Sequence, residues 1–589
     1  VTRSALPTRI GTDDSKRLPE VIVIDETQEV IEMAMVNGGD LFVRALTREG
    51  VKYIFTLCGG HIAPIYNACI DEGIGIIDVR HEQVAAHAAA GWARVTGEPG
   101  VAVVTAGPGV TDSVTGVAEA FIAGCPLIEF GGRAPLAEFE IGSLQDMDQV
   151  RLMEPITKWA KTVYEARRIP EYVSIAFRKA KSGTPGPIYL ECPIDVLLMQ
   201  GVEESDVVFP ENYCAEQEAG GSPALIKEAV ELLVAAQRPI VIAGDGLFWA
   251  KVDKDLTEFV ELAEIPVQTA GFARGAVPED HPLALARVGT AMADVVLTLG
   301  VKLDFMLLYG RPPLFSADAR FIQVGVDASM IGYNRGADIG IMGSPKTVLR
   351  QMIEEIKRTK KKAKRSAWID QLSSIAKMAE EQADQAYSAD SLPIHPARLA
   401  KEVTEFLDRD AVVIIDGGDA AFGWFAPLFQ AQSMGQVLAS GALGCLGAGT
   451  GFALAAKLAN RDKQVLIYFG DGSFGLNGME FDTFVRHDLP VVAVISNDSA
   501  WGMVKHGQRM MYGDDRLHGT LLKPRQRYDK MVEALGGYGE YVDRIEDIKP
   551  ALARAFTSSL PACINVEVDP QPISPATMAL AQAMGAAQL

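Results

Sequence analysis

The sequence is poor in cysteine and in positive charge, and each shortage removes a class of function. Its seven cysteines, odd in number, are scattered over 589 residues without a Cys-x-x-Cys pair. Neither a disulfide scaffold nor a zinc site is expected, and a reducing, cytoplasmic setting is the simplest reading. Lys and Arg number 55 against 76 Asp and Glu, a formal net charge of −21. That balance argues against a nucleic-acid surface, which needs a basic face. It leaves a small anionic ligand open, because a local site can oppose the global charge. No secretory leader stands out, since the N-terminal residues are polar and mixed in charge. Long apolar runs are also missing, with one exception: residues 438–456 carry no charge over 19 positions, the length of a membrane helix. Five glycines and a Ser-Gly start suit a loop feeding a buried helix instead, so no membrane span is expected.

What is present is an alternation of two patterns. Residues 1–36 read as an N-terminal arm. After it, GGDLFVRALTREG and IAPIYNACIDEG are amphipathic and helical, VKYIFTL and IGIIDV are strands, and HEQVAAHAAAGWARVTG is a helix before the strand GVAVVTAGPG. Continuous apolar strands alternating with helices indicate a parallel sheet covered on both faces. The alternation restarts at PIVIAGDG, DVVLTLG and FIQVGVD, and again at AVVIIDGGDA, QVLIYFGDGS, PVVAVISND and ACINVEVD. The expected fold is α/β, with three doubly wound parallel-sheet domains at residues 37–205, 222–355 and 395–570. A linker at 356–394 and a tail at 571–589 complete the division. The basic run at residues 357–365 falls on the helix or linker before the third domain, as a solvated face rather than a phosphate-binding patch.

The third repeat carries the most chemistry. In open α/β sheets, ligands gather at the carboxyl ends of the strands. Asp471 follows QVLIYFG, and Asp498 follows PVVAVISN. If those strands are neighbours, two carboxylates share one edge and can hold a hard cation. Gly470 and Gly472 let a phosphate approach the backbone, and Ser473 is expected to open a helix whose N-terminus favours an anion. Mg²⁺ with a diphosphate is the natural occupant of such a site.

The Gly-Asp-Gly turn followed by Asn497-Asp498 resembles the thiamine diphosphate signature. From about residue 35 to about residue 570 the chain looks like the acetolactate synthase group of thiamine diphosphate enzymes, with pyrimidine-binding, central and diphosphate-binding domains. Within that group, MAMVNGGDLFVRALTREGV, GGHIAPIYNACIDEGIGIIDVRHE, PITKWAKTV, GMEFDTFVR and PACINVEVDPQPISP resemble benzaldehyde lyases most. The resemblance implies Asp471, Asp498 and the carbonyl of Ala500 as Mg²⁺ ligands, with Asp498 standing where Asn is commoner. It implies Glu82, in VRHEQ, as the catalytic acid bonded to the aminopyrimidine of a cofactor held by a partner chain. A homodimer is then the minimum active unit, and a homotetramer the expected assembly. Gly418, Asp419 and Ala420, with Gly444, Gly470, Gly472 and Ser473, would surround the cofactor, and Leu446 would lie under the thiazolium ring. His61, beside Gly60, would move protons at the substrate hydroxyl, while Gln145 would donate a hydrogen bond to the substrate oxygen. Ser440 and Met503 would complete the substrate pocket.

The chain departs from the benzaldehyde lyase pattern at several pocket positions. Cys58 and Ser440 stand where those lyases carry further histidines, Met503 replaces an alanine, and Ile194 replaces an aromatic residue. Met503 narrows the channel and favours a smaller or aliphatic group. The implied function is a thiamine diphosphate- and Mg²⁺-dependent C–C lyase or carboligase. It would act on 2-hydroxy ketones, aldehydes or 2-keto acids through an enamine intermediate. The alternatives are acetolactate synthase-like decarboxylation of pyruvate with acetyl transfer, and 2-hydroxyacyl-CoA lyase activity. FAD, which synthases of this group often hold, is not signalled by the sequence. A small-molecule carbonyl compound is the expected partner, with no nucleic acid and no membrane.

Overall fold

The computed structural model describes residues 35–215, 218–252, 254–359 and 365–583. Of the arm at 1–36, only Met35 and Val36 fall inside that range; they pair antiparallel with Val202–Glu203, so the arm's end belongs to the first domain. That domain holds strands β1 (Tyr53–Thr56), β2 (Gly75–Asp78), β3 (Gly100–Val104), β4 (Leu127–Arg133), β5 (Ala160–Thr162) and β6 (Ile188–Pro193). Their order across the sheet is β2-β1-β3-β4-β6-β5, all parallel. The middle domain holds β7 (Pro239–Ala243), β8 (Val267–Thr269), β9 (Val295–Leu299), β10 (Arg320–Gly325) and β11 (Ile339–Met342), in the order β8-β7-β9-β10-β11. The third holds β12 (Val412–Asp416), β13 (Val437–Ala439), β14 (Val465–Gly470), β15 (Val492–Asn497), β16 (Tyr538–Val542) and β17 (Ala562–Glu567), in the order β13-β12-β14-β15-β17-β16. The first and third sheets therefore repeat one topology. In each, the order reverses beside the first strand, opening a crevice at the strand ends.

Apolar runs mark only some of these strands, and the reasons are local. Buried Glu129 and Glu191 interrupt β4 and β6, while β5, β8 and β13 are three residues long. The stretch 356–394, expected as a linker, is largely helical. The helix Pro345–Thr359 runs into it, and Ser366–Tyr387 fills most of the remainder. Trp368 and Leu372 on that second helix are buried in the middle domain's core, where Trp368 Nε1 donates to the Pro239 carbonyl at 3.2 Å. In the basic run, Lys357 pairs with Glu258 at 2.9 Å and Arg358 with Glu355 at 2.7 Å. Arg365 is buried and donates to the carbonyls of Ala263 and Leu233; residues 360–364 lie outside the described residues.

The uncharged run at 438–456 becomes the end of β13, a glycine-rich loop and the start of the helix Gly449–Ala459. That helix is apolar because it packs against the helix Glu82–Thr96 of the first domain. Small residues allow the close crossing: a Cβ on Gly91 would lie 2.9 Å from Phe452 Cα, and one on Gly451 would lie 2.7 Å from His87 Cβ. Arg94 is buried near this crossing. It pairs with buried Glu119 at 2.5 Å, donates to the Ala439 carbonyl at 3.0 Å, and lies over the rings of Phe272 and Phe452. One guanidinium thus touches all three domains. Among the described residues, no helix is long and apolar enough to cross a membrane.

Candidate cofactor and metal site

In the third domain β14 and β15 are neighbours, with Gly470 opposite Ser496. Asp471 and Asp498 leave the sheet from neighbouring strands, close enough that the charge of Asp498 acts on the Asp471 carboxyl. Asp471 is buried, and its Oδ2 has no hydrogen-bond partner. Burial, reinforced by the Asp498 charge, pushes the Asp471 carboxyl up to about 8. Burial also raises Asp498, against the pull of Lys505. A buried and a half-buried carboxylate, with one oxygen lacking any donor, form a donor set that suits a hard cation. Mg²⁺ takes one or two carboxylates and completes its shell with phosphate and water oxygens. Among the described residues no cluster of three or more His, Cys, Asp or Glu is arranged to hold a metal. The remaining ligands for Mg²⁺ here would be backbone, cofactor or water oxygens.

The adjoining part of the crevice is built by β12 and β14, where the strand order reverses. Beyond β12, Gly417 has φ of +148°, and a Cβ there would lie 2.8 Å from the Gly470 nitrogen, so only glycine lets the two backbones abut. The Asp416 carboxylate accepts from the N–H groups of Gly447 and Gly449 at 3.0 and 2.7 Å, fixing the loop that carries Gly444 and Leu446. Burial pushes Asp416 up to about 6, against those two amides. The helix after β14 opens at Asp471 with Gly470 as its N-cap, two residues earlier than the expected start at Ser473. The Ser473 hydroxyl is already engaged with the carbonyls of Asp416 and Gly470, at 2.7 and 3.0 Å. The Asp419 carboxylate is engaged too: Trp424 Nε1 donates to it at 3.1 Å, and the Ser574 hydroxyl at 2.6 Å. Ser574 lies within PACINVEVDPQPISP but carried no expected role, and through it the tail becomes part of this site.

A cavity of about 310 Å³ opens over this crevice, with Gly418, Ala420, Ser440, Leu446, Ala500 and Met503 in its walls. Gly444, Gly470, Gly472, Ser473 and Asp498 border it as well. Met503, on the helix Gly502–Tyr512, packs over Gly418, where an added Cβ would lie 2.9 Å from Met503 Cβ. Trp501 packs over Gly472 in the same way. Phe305 and Met306 come from the middle domain, and no described first-domain residue lines the cavity.

The other expected site residues gather at the matching crevice of the first domain. His61 sits in the turn Gly60–Ile62 after β1, with Nδ1 3.3 Å from the Thr105 hydroxyl just beyond β3. Burial lowers its pKa, opposed by the nearby Gln145 side chain, so the neutral imidazole is favoured. Gln145 has φ of +61° and packs against Gly107. Buried Gln149, which sequence patterning did not single out, supports it: Gly107 N–H donates to its Oε1 at 2.6 Å, and its Nε2 donates to Glu191 at 2.8 Å. Glu82 is the first residue of its helix, buried, with its carboxyl raised by that burial. Glu129 is fully buried and near enough to feel the Glu82 charge. Burial and that charge push it up to about 8 against a 2.5 Å bond from the Ser113 hydroxyl. Cys58 is exposed, and Ile194 opens the short helix Ile194–Leu198; neither lines the third-domain cavity.

Comparison with known proteins finds a counterpart for each of the three domains. The description of a thiamine pyrophosphate enzyme N-terminal TPP binding domain matches residues 36–152, the central domain matches 226–352, and the C-terminal TPP binding domain matches 416–566. The chain is 39% identical over 541 residues to a probable acetolactate synthase of Mycobacterium bovis, covering 91% of this chain and 96% of that protein. It is 33% identical over 559 residues to a probable acetolactate synthase large subunit of Methanocaldococcus jannaschii, covering 91% and 92%. It is 34% identical over 554 residues to 2-hydroxyacyl-CoA lyase 2 of Bos taurus, covering 86% and 85%.

Proposed function

Because this chain belongs to the thiamine pyrophosphate enzyme family, in its C–C lyase and carboligase class, we propose that it acts with Mg²⁺ on small aliphatic 2-keto acids or 2-hydroxy ketones. The observation that carries the substrate class is Met503 packed over Gly418 in the wall of the cavity. An unbranched thioether there leaves room for a methyl or short alkyl group and crowds a phenyl ring. The likeness to benzaldehyde lyases draws no support from these relatives, whose names are those of acetolactate synthases and 2-hydroxyacyl-CoA lyases.

When bound, thiamine diphosphate supplies the nucleophilic carbon and the electron sink for breaking and making the bond. The residues supply position and protons. Asp471, Asp498 and the Ala500 carbonyl would hold the cation, and the backbone at Gly418, Ala420, Gly470 and Gly472 would hold the diphosphate. Leu446 would support the thiazolium ring. Glu82, with its carboxyl raised by burial, is suited to share a proton with an aminopyrimidine nitrogen. His61, favoured as neutral imidazole, would take a proton from a substrate hydroxyl, and Gln145 would donate to the adjacent oxygen. Glu82, His61 and Gln145 stand apart from the cavity of their own chain. The complete site is therefore read as lying between two copies, with a homodimer as the minimum unit and a homotetramer as the fuller assembly. Seven free cysteines suit a reducing, cytoplasmic setting.

A second reading, 2-hydroxyacyl-CoA lyase activity, follows from the Bos taurus relative. It needs cations for the adenosine phosphates, and Lys357 and Arg358 are already paired with acids. One experiment separates the readings. The protein is incubated with Mg²⁺, thiamine diphosphate and, in turn, pyruvate, acetoin, benzoin and a 2-hydroxyacyl-CoA, with products identified by mass spectrometry. Turnover of pyruvate or acetoin above the other two is expected. Preference for benzoin, or for the CoA thioester, overturns the aliphatic reading.

A further inference from the structure

Two carboxylates side by side load the cation end of the crevice with negative charge, and the diphosphate expected there adds more. The structure places a cation against this load. The Lys505 side chain is 3% exposed, with Nζ 3.0 Å from Asp498 Oδ2 and 2.7 Å from the Pro570 carbonyl. An ammonium is rarely buried unless it is paired, so this contact has a structural cause to be found. The chain delivers Lys505 through a short turn. Trp501 N–H donates to the Thr520 carbonyl at 2.8 Å, and Lys505 N–H donates to the Trp501 carbonyl at 2.8 Å, in the first turn of the helix Gly502–Tyr512. Gly502 lets that helix begin against the carboxylate, since a Cβ there would lie 2.9 Å from Asp498 Oδ2.

We propose that Lys505 is a positioning residue for the cation site, holding Asp498 by one oxygen and offsetting its charge. The Asp498–Lys505 pair then presents to the cation and the diphosphate what a neutral amide oxygen would present. The proposal rests on the reading of Asp471 and Asp498 as cation ligands. It goes beyond that reading by assigning the net charge of the site to a residue that bonds to a cation ligand but does not itself line the cavity.

The test is a double-mutant cycle read by binding. The full-length protein and its variants are titrated with thiamine diphosphate at saturating Mg²⁺, and with Mg²⁺ at saturating thiamine diphosphate, by calorimetry. Lys505→Met should weaken cofactor binding by about tenfold or more, because a half-buried carboxylate loses its partner beside an anion. Asp498→Asn should also weaken it, leaving the ammonium buried without a counter-charge. Asp498→Asn with Lys505→Met removes both charges and should bind within about threefold of the unaltered protein. A double variant as weak as the two single losses combined overturns the proposal, and Lys505 then acts only through Pro570. Should Lys505→Met fail to fold, Asp498→Asn is compared with the double variant: tighter binding in the double variant supports the counter-charge, and weaker binding overturns it. Asp471→Ala separates this inference from the reading beneath it. If that variant keeps Mg²⁺-dependent cofactor binding, the cation site is misassigned and both fall. If it loses binding while the cycle is additive, only the role of Lys505 falls.

Discussion

Met503 packs directly over Gly418, closely enough that a Cβ on the glycine would lie 2.9 Å from Met503 Cβ and 3.2 Å from its sulfur. The contact joins the first turn after β12 to the helix that follows Asp498. It places a flexible apolar side chain in the wall of the cavity, beside the crevice where the diphosphate is expected.

Shortening that side chain should widen the pocket without disturbing the cation residues. Met503→Ala should raise kcat/KM for benzoin relative to acetoin by roughly ten- to a hundredfold, the usual worth of a few apolar atoms in such a pocket. Steady-state kinetics with both substrates measure the ratio. An unchanged ratio would take Met503 out of the substrate pocket.

Glu82→Gln should keep the fold and most cofactor binding, since the amide is the same size and the groups read as holding the cation and the diphosphate all come from the third domain. Exchange of the cofactor's C2 proton should slow by roughly 10²–10⁴-fold, because an amide cannot share a proton with a ring nitrogen. Acid quench followed by NMR reads the exchange rate directly. A rate equal to that of the unaltered protein would remove Glu82 from activation.

Stability of the cofactor-free protein should fall as pH rises from about 4.5 toward about 8, and Glu129 should contribute to the fall. Its carboxyl ionises near 4.5 when exposed but keeps its proton up to about 8 when buried. Between those values the folded state holds the extra proton, so raising the pH favours the unfolded chain. Glu129→Gln should flatten the slope of urea midpoint against pH across that window. If the slope is unaltered, other raised acids carry it, with Asp471 and Glu480 the first to examine.

Arg94 and Glu119 form a fully buried pair, so replacing only the arginine leaves a carboxylate without a counter-charge. Arg94→Met should cost about 3–5 kcal/mol, measured as a lowered denaturation midpoint. Replacing both, with Glu119→Gln added, should recover part of the loss. Because Arg94 touches Phe272 and Phe452 as well, the single variant should also loosen the middle domain, seen as faster amide exchange in β7 and β9.

The three-domain α/β division and the pair Asp471 and Asp498 were legible along the chain because they depend on local order. A buried parallel strand needs a continuous apolar run, and the residue after such a run falls at the carboxyl edge wherever the sheet forms. The Gly-Asp-Gly turn carries its reason in its own three residues. Strands broken by a buried acid escaped, because Glu129 and Glu191 are tolerated only where Ser113, Gln149 and Thr162 from distant segments bond to them. The stretch 356–394 read as a linker because the core that accepts Trp368 and Leu372 is formed by residues far away in the chain.

What the sequence determined by itself is therefore the domain pattern and the chemical types available at each strand end. Tertiary structure decided which of them meet. It set Asp471 beside Asp498 through the pairing of β14 with β15, and brought Lys505 back against Asp498 through one helical turn. It also bound the tail to Asp419 through Ser574, and divided the expected site residues between two crevices. The physical reason is common to these cases. Burial makes an unpaired charge or polar group costly, and its partner is set by distance in space, which the order of residues along the chain does not encode.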